Sequence, residues 1–133
     1  MKQNGLPIED NYIRNLDYEY SESDMLERIK SMVMVPVSID GIVFATHFLA
    51  ASGMRALKKL NARVPEDVAI VSFGQMNAFD LIEPPVTSIV QPVDELGDRA
   101  VELLLENLSG ENTGFRRIIL NNSLEIRKSC GAL

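Results

Sequence analysis

A single cysteine, Cys130, and a single histidine, His47, are the only thiol and imidazole among 133 residues. A disulfide within the chain and a cysteine-based metal cluster are therefore both excluded, which favours a reducing compartment. No apolar run approaches the roughly 20 residues that cross a bilayer, and the opening "MKQNGLPIED" lacks the apolar centre of a secretory leader. These absences make the cytoplasm the expected location and exclude a membrane partner. Basic residues are also scarce relative to acids: the formal net charge of -6 suits a phosphate backbone poorly. The chain itself is thus not expected to touch DNA. Catalytic signatures are missing as well, with no Gly-x-Ser-x-Gly elbow, Gly-x-Gly-x-x-Gly turn, Walker lysine loop or His-Glu-x-x-His helix. No enzyme, cofactor or metal site is expected.

What is present is an ordinary globular composition, 46% hydrophobic and 24% charged. "YIRNLD" at 12–17 reads as a short strand. Ser21 and Asp24 form a capping box that opens a helix with Leu26, Ile29 and Val33 on one face, ended by Pro36. "DGIVFA" at 40–45 is apolar on both faces, the pattern of a parallel strand covered by helices on each side. A helix over 47–60 follows, burying Ala50, Met54 and Leu57 and placing Lys58 and Lys59 at its negative end. Pro65, Glu66 and Asp67 make a solvated turn before a buried strand over Val68 to Phe73, completing a β-α-β unit. "MNAFDLIE" is a short irregular or helical piece, and "VTSIV" at 86–90 is a third parallel strand. Residues 94–108 give the clearest helix, with a stripe of Leu96, Ala100, Leu104 and Leu108 beside Leu103, stopped by Ser109-Gly110. That stripe and Met54 are read as core or interface. "RRIIL" and "SLEIR" close the chain as two short strands.

In a parallel α/β sheet, ligands sit beyond the carboxyl ends of the strands. Here those ends are Tyr18 to Ser21, Thr46-His47, Gly74-Gln75 and Gln91. The set brings together aromatic rings, hydroxyls, amides and one imidazole, which suits a neutral polyol or sugar. Each residue has a plainer reading too. His47 can be a first-turn helix residue, Gly74 a backbone turn, Tyr20 a cover for the neighbouring helix, and Gln91 a bridge before Pro92.

Five groups of residues carry a family resemblance: Gly53-Met54-Arg55-Ala56-Leu57, Val64-Pro65-Glu66-Asp67-Val68, Pro84-Pro85-Val86-Thr87, Gln91-Pro92, and Glu95-Leu96-Gly97 with Ala100-Val101-Glu102-Leu103-Leu104. In this order and spacing the chain resembles the C-terminal part of a LacI/GalR-family transcription regulator. The resemblance spans essentially the whole chain, more loosely over residues 1–40. It implies a partial type I periplasmic-binding-protein-like, Rossmann-like α/β fold, a parallel sheet flanked by helices. Residues 1–91 would be an incomplete C-terminal lobe of the effector-binding domain, 92–115 a helix segment crossing to the N-terminal lobe, and 116–133 C-terminal strands. The helix-turn-helix headpiece and most of the first lobe would lie outside the chain, making it a truncated regulator or a piece of one.

Position by position, the resemblance implies effector-binding residues at Tyr20, Thr46, His47, Gly74, Gln75, Gln91 and Val93. It implies a homodimer interface at Ala51, Arg55, Leu81 and Ile82. Family members usually carry Asn-Asp where this chain has Thr46-His47, and an acid pair where it has Gly74-Gln75. The carboxylate that would grip two sugar hydroxyls is gone, a charge-assisted contact worth about 1.5 to 3 kcal/mol. The partners implied are a sugar-like small-molecule effector, a second copy of the chain, and operator DNA only through the absent headpiece. The alternatives are a fragment of a transport-associated sugar-binding protein, opposed by the Val-Pro-Glu-Asp and Gln-Pro marks, and a Rossmann-like enzyme, opposed by the missing motifs.

Overall fold

The structure, a computed structural model, describes residues 5, 12–17, 19–34, 39–110 and 114–132. The capping box is formed at Ser21: its hydroxyl accepts from the Asp24 backbone N–H at 3.2 Å, and the Asp24 carboxylate accepts from the Ser21 N–H at 2.8 Å. Helix α1 then runs Glu22–Val33. Its buried line is Met25 and Ile29, four residues apart, with Leu26 and Val33 only half-buried. The expected stripe was therefore displaced by one position at its start. Pro36, expected to stop this helix, lies outside the described residues.

Strand β1 (Gly41–Phe44) leads into α2 (His47–Lys59), and β2 (Ala69–Phe73) returns parallel to β1 with Gly41 opposite Ala69 and Phe44 opposite Ser72. This is the expected β-α-β unit. Helix α2 buries Ala50, Gly53, Met54, Ala56 and Leu57. Gly53 is required by packing, because a Cβ there would lie 2.2 Å from Cζ of the buried Phe44 ring. The bare backbone lets the helix settle directly on β1.

After a 3-10 turn at Asn77–Asp80, β3 (Thr87–Val90) joins β2 in parallel, Ser72 opposite Ser88. Helix α3 (Val93–Ser109) ends at Gly110, whose φ of 77° is the left-handed conformation a glycine C-cap supplies. Strand β4 (Ser123–Glu125) pairs antiparallel with β3, giving the order β1-β2-β3-β4. The core lies between this sheet and α1 and α2, around Phe44, Leu57, Ile70 and Phe79.

Three expectations fail here for physical reasons, and a fourth, that the α3 stripe is core or interface, is narrowed to the second. Residues 12–17 form no strand: Tyr12 sits in a 3-10 conformation, the rest is irregular, and Tyr12 and Ile13 are exposed. β1 is covered on one face only, since Ile42 and Phe44 are buried while Val43 is 71% exposed. "RRIIL" at 116–120 is not a strand, leaving β4 as the sole strand of the closing segment among the described residues. Finally, α3 buries nothing: Leu96, Leu104 and Leu108 all face solvent, so its stripe is no core of this chain. Amphipathic spacing states that a face needs a partner, and not whether the same segment supplies one.

The turn before β2 is held by charge. Arg63 donates from its backbone N–H, Nε and Nη2 to the Asp67 carboxylate at 2.8, 3.0 and 2.6 Å. These Arg63 hydrogen bonds bring the Asp67 pKa down to about 2.

Two outcomes follow from this packing. Gly53→Ala should lower unfolding stability by about 1–3 kcal/mol through overpacking against Phe44. Gly97→Ala, where a Cβ meets nothing within 4 Å, should be neutral or raise stability by up to about 1 kcal/mol; urea titrations of both variants decide. The stabilisation contributed by Asp67 is present above the ordinary carboxylate pKa of 3.8 and is lost as pH falls toward about 2. A carbon-13 titration of the Asp67 carboxyl that turned near 4 would contradict the ion pair.

Candidate functional site

Because β1, β2 and β3 are mutually parallel, their carboxyl ends at Phe44, Phe73 and Val90 share one edge of the sheet. The segments that leave this edge carry Thr46-His47, Gly74-Gln75 and Gln91, as the sequence indicates. Topology therefore gathers residues from positions far apart in the chain, the arrangement that builds binding edges in α/β sheets.

The innermost pair is His47 and Gly74. Gly74 has φ of 86°, a conformation that an L side chain resists, and its N–H donates to the Ile89 carbonyl at 2.9 Å, adding a rung beyond β2. A Cβ on Gly74 would lie 3.2 Å from His47 Nδ1. The half-buried imidazole thus rests against glycine backbone, and its ring tilts 39° to the Phe48 ring at a centroid distance of 4.1 Å. Gly74 serves both the turn and the space for His47.

Around this pair several polar groups are already engaged. Thr46 is the N-cap of α2, its hydroxyl accepting from the Leu49 N–H at 3.2 Å. The Tyr20 hydroxyl donates to Ser52 Oγ at 3.0 Å, and its ring packs against the core. Tyr20 covers α2, as its plainer reading held. Ser52 is the residue that sequence reasoning missed; no local pattern pairs residues 32 positions apart. Ser21 is a helix cap, and Tyr18 lies outside the described residues.

Gln75 is half-buried next to Gly74, and Gln91 is exposed where the chain reverses, its carbonyl accepting from the Val93 N–H at 2.9 Å. Val93 is the exposed first residue of α3. None of Thr46, His47, Gly74, Gln75, Gln91 or Val93 is a carboxylic acid. Asp80, the next acid after β2, is held by Arg127 Nε at 2.8 Å, and Asp94 and Glu95 stand in the first turn of α3.

Two open grooves flank this edge. One, of about 470 Å³, is lined by Asn15, Asp17, Glu19, Tyr20 and Arg28, and the other, of about 410 Å³, by Gln91, Leu96, Arg99, Arg117 and Ile118. Neither includes His47 or Gly74. An edge open to solvent encloses no cavity, so the parallel topology is the stronger guide to the site.

The four residues expected at a dimer interface are not gathered into one patch by any contact seen here. Ala51 and Arg55 lie one turn apart on α2, where Arg55 Nε donates to the Ala51 carbonyl at 3.5 Å. Leu81 projects with 87% exposure after the 3-10 turn, while Ile82 is partly buried against the core. Among the described residues no group of three or more His, Cys, Asp or Glu could hold a metal ion, and no helix is long and apolar enough to cross a membrane.

Residues 1–130 match the family described as periplasmic binding protein-like domain. The chain is 26% identical over 125 residues to the HTH-type transcriptional regulator CelR of Thermobifida fusca, covering 94% of this chain and 36% of that protein. It is 25% identical over 133 residues to the HTH-type transcriptional repressor CytR of Escherichia coli K12, covering 100% of this chain and 38% of that one. Among solved structures, the transcriptional regulator CelR-cellobiose complex superposes with a TM-score of 0.83 at 25% identity, over 96% of this chain and 38% of its own. The chain therefore spans little more than a third of the length of these relatives.

The capping geometry sets an expectation for Thr46. Thr46→Ala should destabilise the chain by about 1 kcal/mol and Thr46→Ser by much less. Equal stability of all three proteins in urea would show that the hydroxyl is not engaged by the helix.

Proposed function

The chain belongs to the periplasmic binding protein-like domain family, and from that premise we propose that it is the effector-binding and dimerisation portion of a LacI-type DNA-binding transcriptional regulator. One observation carries the reading. Of the positions assigned to the effector, Thr46, His47, Gly74, Gln75 and Gln91 follow the carboxyl ends of the parallel strands β1, β2 and β3, and His47 lies against Gly74. Similarity to named regulators along nearly the whole chain supports it, and gives no support to a transport-associated binding protein.

In this reading the protein performs no catalysis. A sugar-like small molecule bridges this lobe and a second one, and its preference for one lobe arrangement shifts the equilibrium between two states. The dimer relays that shift to DNA-binding headpieces outside this chain, acting on operator DNA in the cytoplasm. Residues 92–115 are the segment that crosses to the other lobe. The exposed Leu96, Leu104 and Leu108 of α3 fit this role, since a helix with an apolar face needs a partner and none of the described residues buries these three.

Dimerisation is assigned to Ala51, Arg55, Leu81 and Ile82. A leucine as exposed as Leu81 is the group such an interface would cover. In the full-length protein, Leu81→Asp should weaken the dimer by about 2 kcal/mol or more, read as a shift toward monomer in sedimentation equilibrium. In gel shifts the full-length protein should bind a specific operator, and the 133-residue chain alone should bind none. Specific operator binding by the isolated chain, or an unchanged Leu81→Asp dimer, would refute the corresponding assignment.

A further inference from the structure

Resting on the reading of this edge as the effector site, we infer that its ligand is an acidic sugar derivative, a uronic or aldonic acid, with His47 as the residue that selects the carboxylate. Two hydroxyls near this edge are already engaged. The Thr46 hydroxyl accepts from the Leu49 N–H, and the Tyr20 hydroxyl is directed to Ser52. The His47 ring has the Phe48 ring and the Gly74 backbone as neighbours, and among the described residues neither of its nitrogens is hydrogen-bonded. The side-chain amides of Gln75 and Gln91 are likewise without a partner there. The polar side chains that follow these strand ends and have no partner among the described residues are thus an imidazole and two amides, each able to donate a hydrogen bond.

The ring rests against the backbone of Gly74. Gly74 combines a left-handed φ of 86° with a separation that would put any Cβ 3.2 Å from His47 Nδ1. A side chain at residue 74 would therefore be held at a strained φ and would press the imidazole aside by a few tenths of an ångström, so the two residues form a matched pair. This also removes a carboxylate from the end of β2.

Charge then decides between ligand classes. A ligand carboxylate at the β1 and β2 ends meets donors and no acid in the first turn of α2. The next acid beyond β2, Asp80, is held by Arg127. Among Thr46, His47, Gly74, Gln75 and Gln91 a plain polyol finds no ionised acceptor for a pair of hydroxyls, the acids Asp17 and Glu19 lining the separate groove beside Tyr20, and so it loses the stronger, charge-assisted kind of hydrogen bond there. Asp94 and Glu95, which head α3 beyond Gln91, are on the β3 side. The ligand is accordingly oriented with its acid group toward His47 and its hydroxyls toward β3.

The test uses the full-length protein, titrated calorimetrically with matched pairs: glucose and glucuronate, galactose and galacturonate, and gluconate beside glucitol. The expected result is at least one acid binding about tenfold or more tighter than its neutral partner. His47→Asp should abolish that preference, and His47→Asn should reduce it while leaving the thermal unfolding midpoint near the parent's. A neutral sugar that binds as tightly as its acid, or a preference that survives His47→Asp, overturns the inference while leaving the effector site in place. If no member of any pair binds, and Gln91→Ala changes no operator release by cell extract metabolites, the effector-site reading falls with it.

Discussion

The lobe depends on a hydroxyl set between two strands. Ser129 is fully buried; its Oγ donates to the Ile70 carbonyl at 2.7 Å and accepts from the Thr87 N–H at 2.9 Å, bridging the starts of β2 and β3. Without it, a buried donor and a buried acceptor would lack partners, and each such loss costs about 1–3 kcal/mol. Arg127 reinforces the joint from the same segment, donating to Asp80, the Val86 carbonyl, Ser88 Oγ and Glu125. Thr87 Oγ1 completes it by donating to the Arg127 carbonyl and accepting from the Arg127 N–H. Register at the amino ends of the strands sets register at their carboxyl ends. The meeting of Gly74 with the Ile89 carbonyl, and the placing of Gln91 beside the site, follow from a contact on the far side of the sheet.

This division of labour separates stability from recognition. The closed polar network occupies one edge, where all its members are satisfied and none faces a ligand. Among the described residues the opposite edge keeps an imidazole and two amides without protein partners, half-buried or exposed and so open to water. Apolar groups show the same asymmetry. Phe44, Leu57, Ile70 and Phe79 are sealed between sheet and helices, while one face of β1 and the stripe of α3 remain open. Val43 on β1 and Leu96, Leu104 and Leu108 on α3 are the exposed members of these faces.

How much of this was legible in the sequence depended on the range of the interaction. The capping box at Ser21, the buried positions Ala50, Met54 and Leu57, the β-α-β unit and the Gly110 stop were all legible, because each rests on neighbours within a turn or on a simple period. Residues 12–17 and 116–120 have strand-like composition but lack a partner strand, and composition alone makes no hydrogen bonds. β1 looked like a strand covered on both sides since Val43 is apolar, yet only one cover is present. At the site, the sequence placed Thr46, His47, Gly74, Gln75 and Gln91 on one edge. It did not disclose that Thr46 and Tyr20 have hydroxyls already engaged, or that Gly74 makes room for His47. Ser129 and Arg127 were invisible for the same reason: their partners lie about 40 or more residues away, and a lone serine or arginine carries no periodic signal.

That distance has a bearing on how the chain is made. A ribosome extrudes β2 and β3 well before residues 123–130 leave the exit tunnel, and during that interval the Ile70 carbonyl and Thr87 N–H have no bridge. The β-α-β unit can assemble early, since β1, α2 and β2 are contiguous in the chain. The β2–β3 joint has to wait for Arg127 and Ser129, about 40 or more residues later in the chain. Completion of the edge that carries His47, Gly74 and Gln91 is therefore timed by translation of residues 123–130, and the nascent chain exposes unfinished strands in the interval.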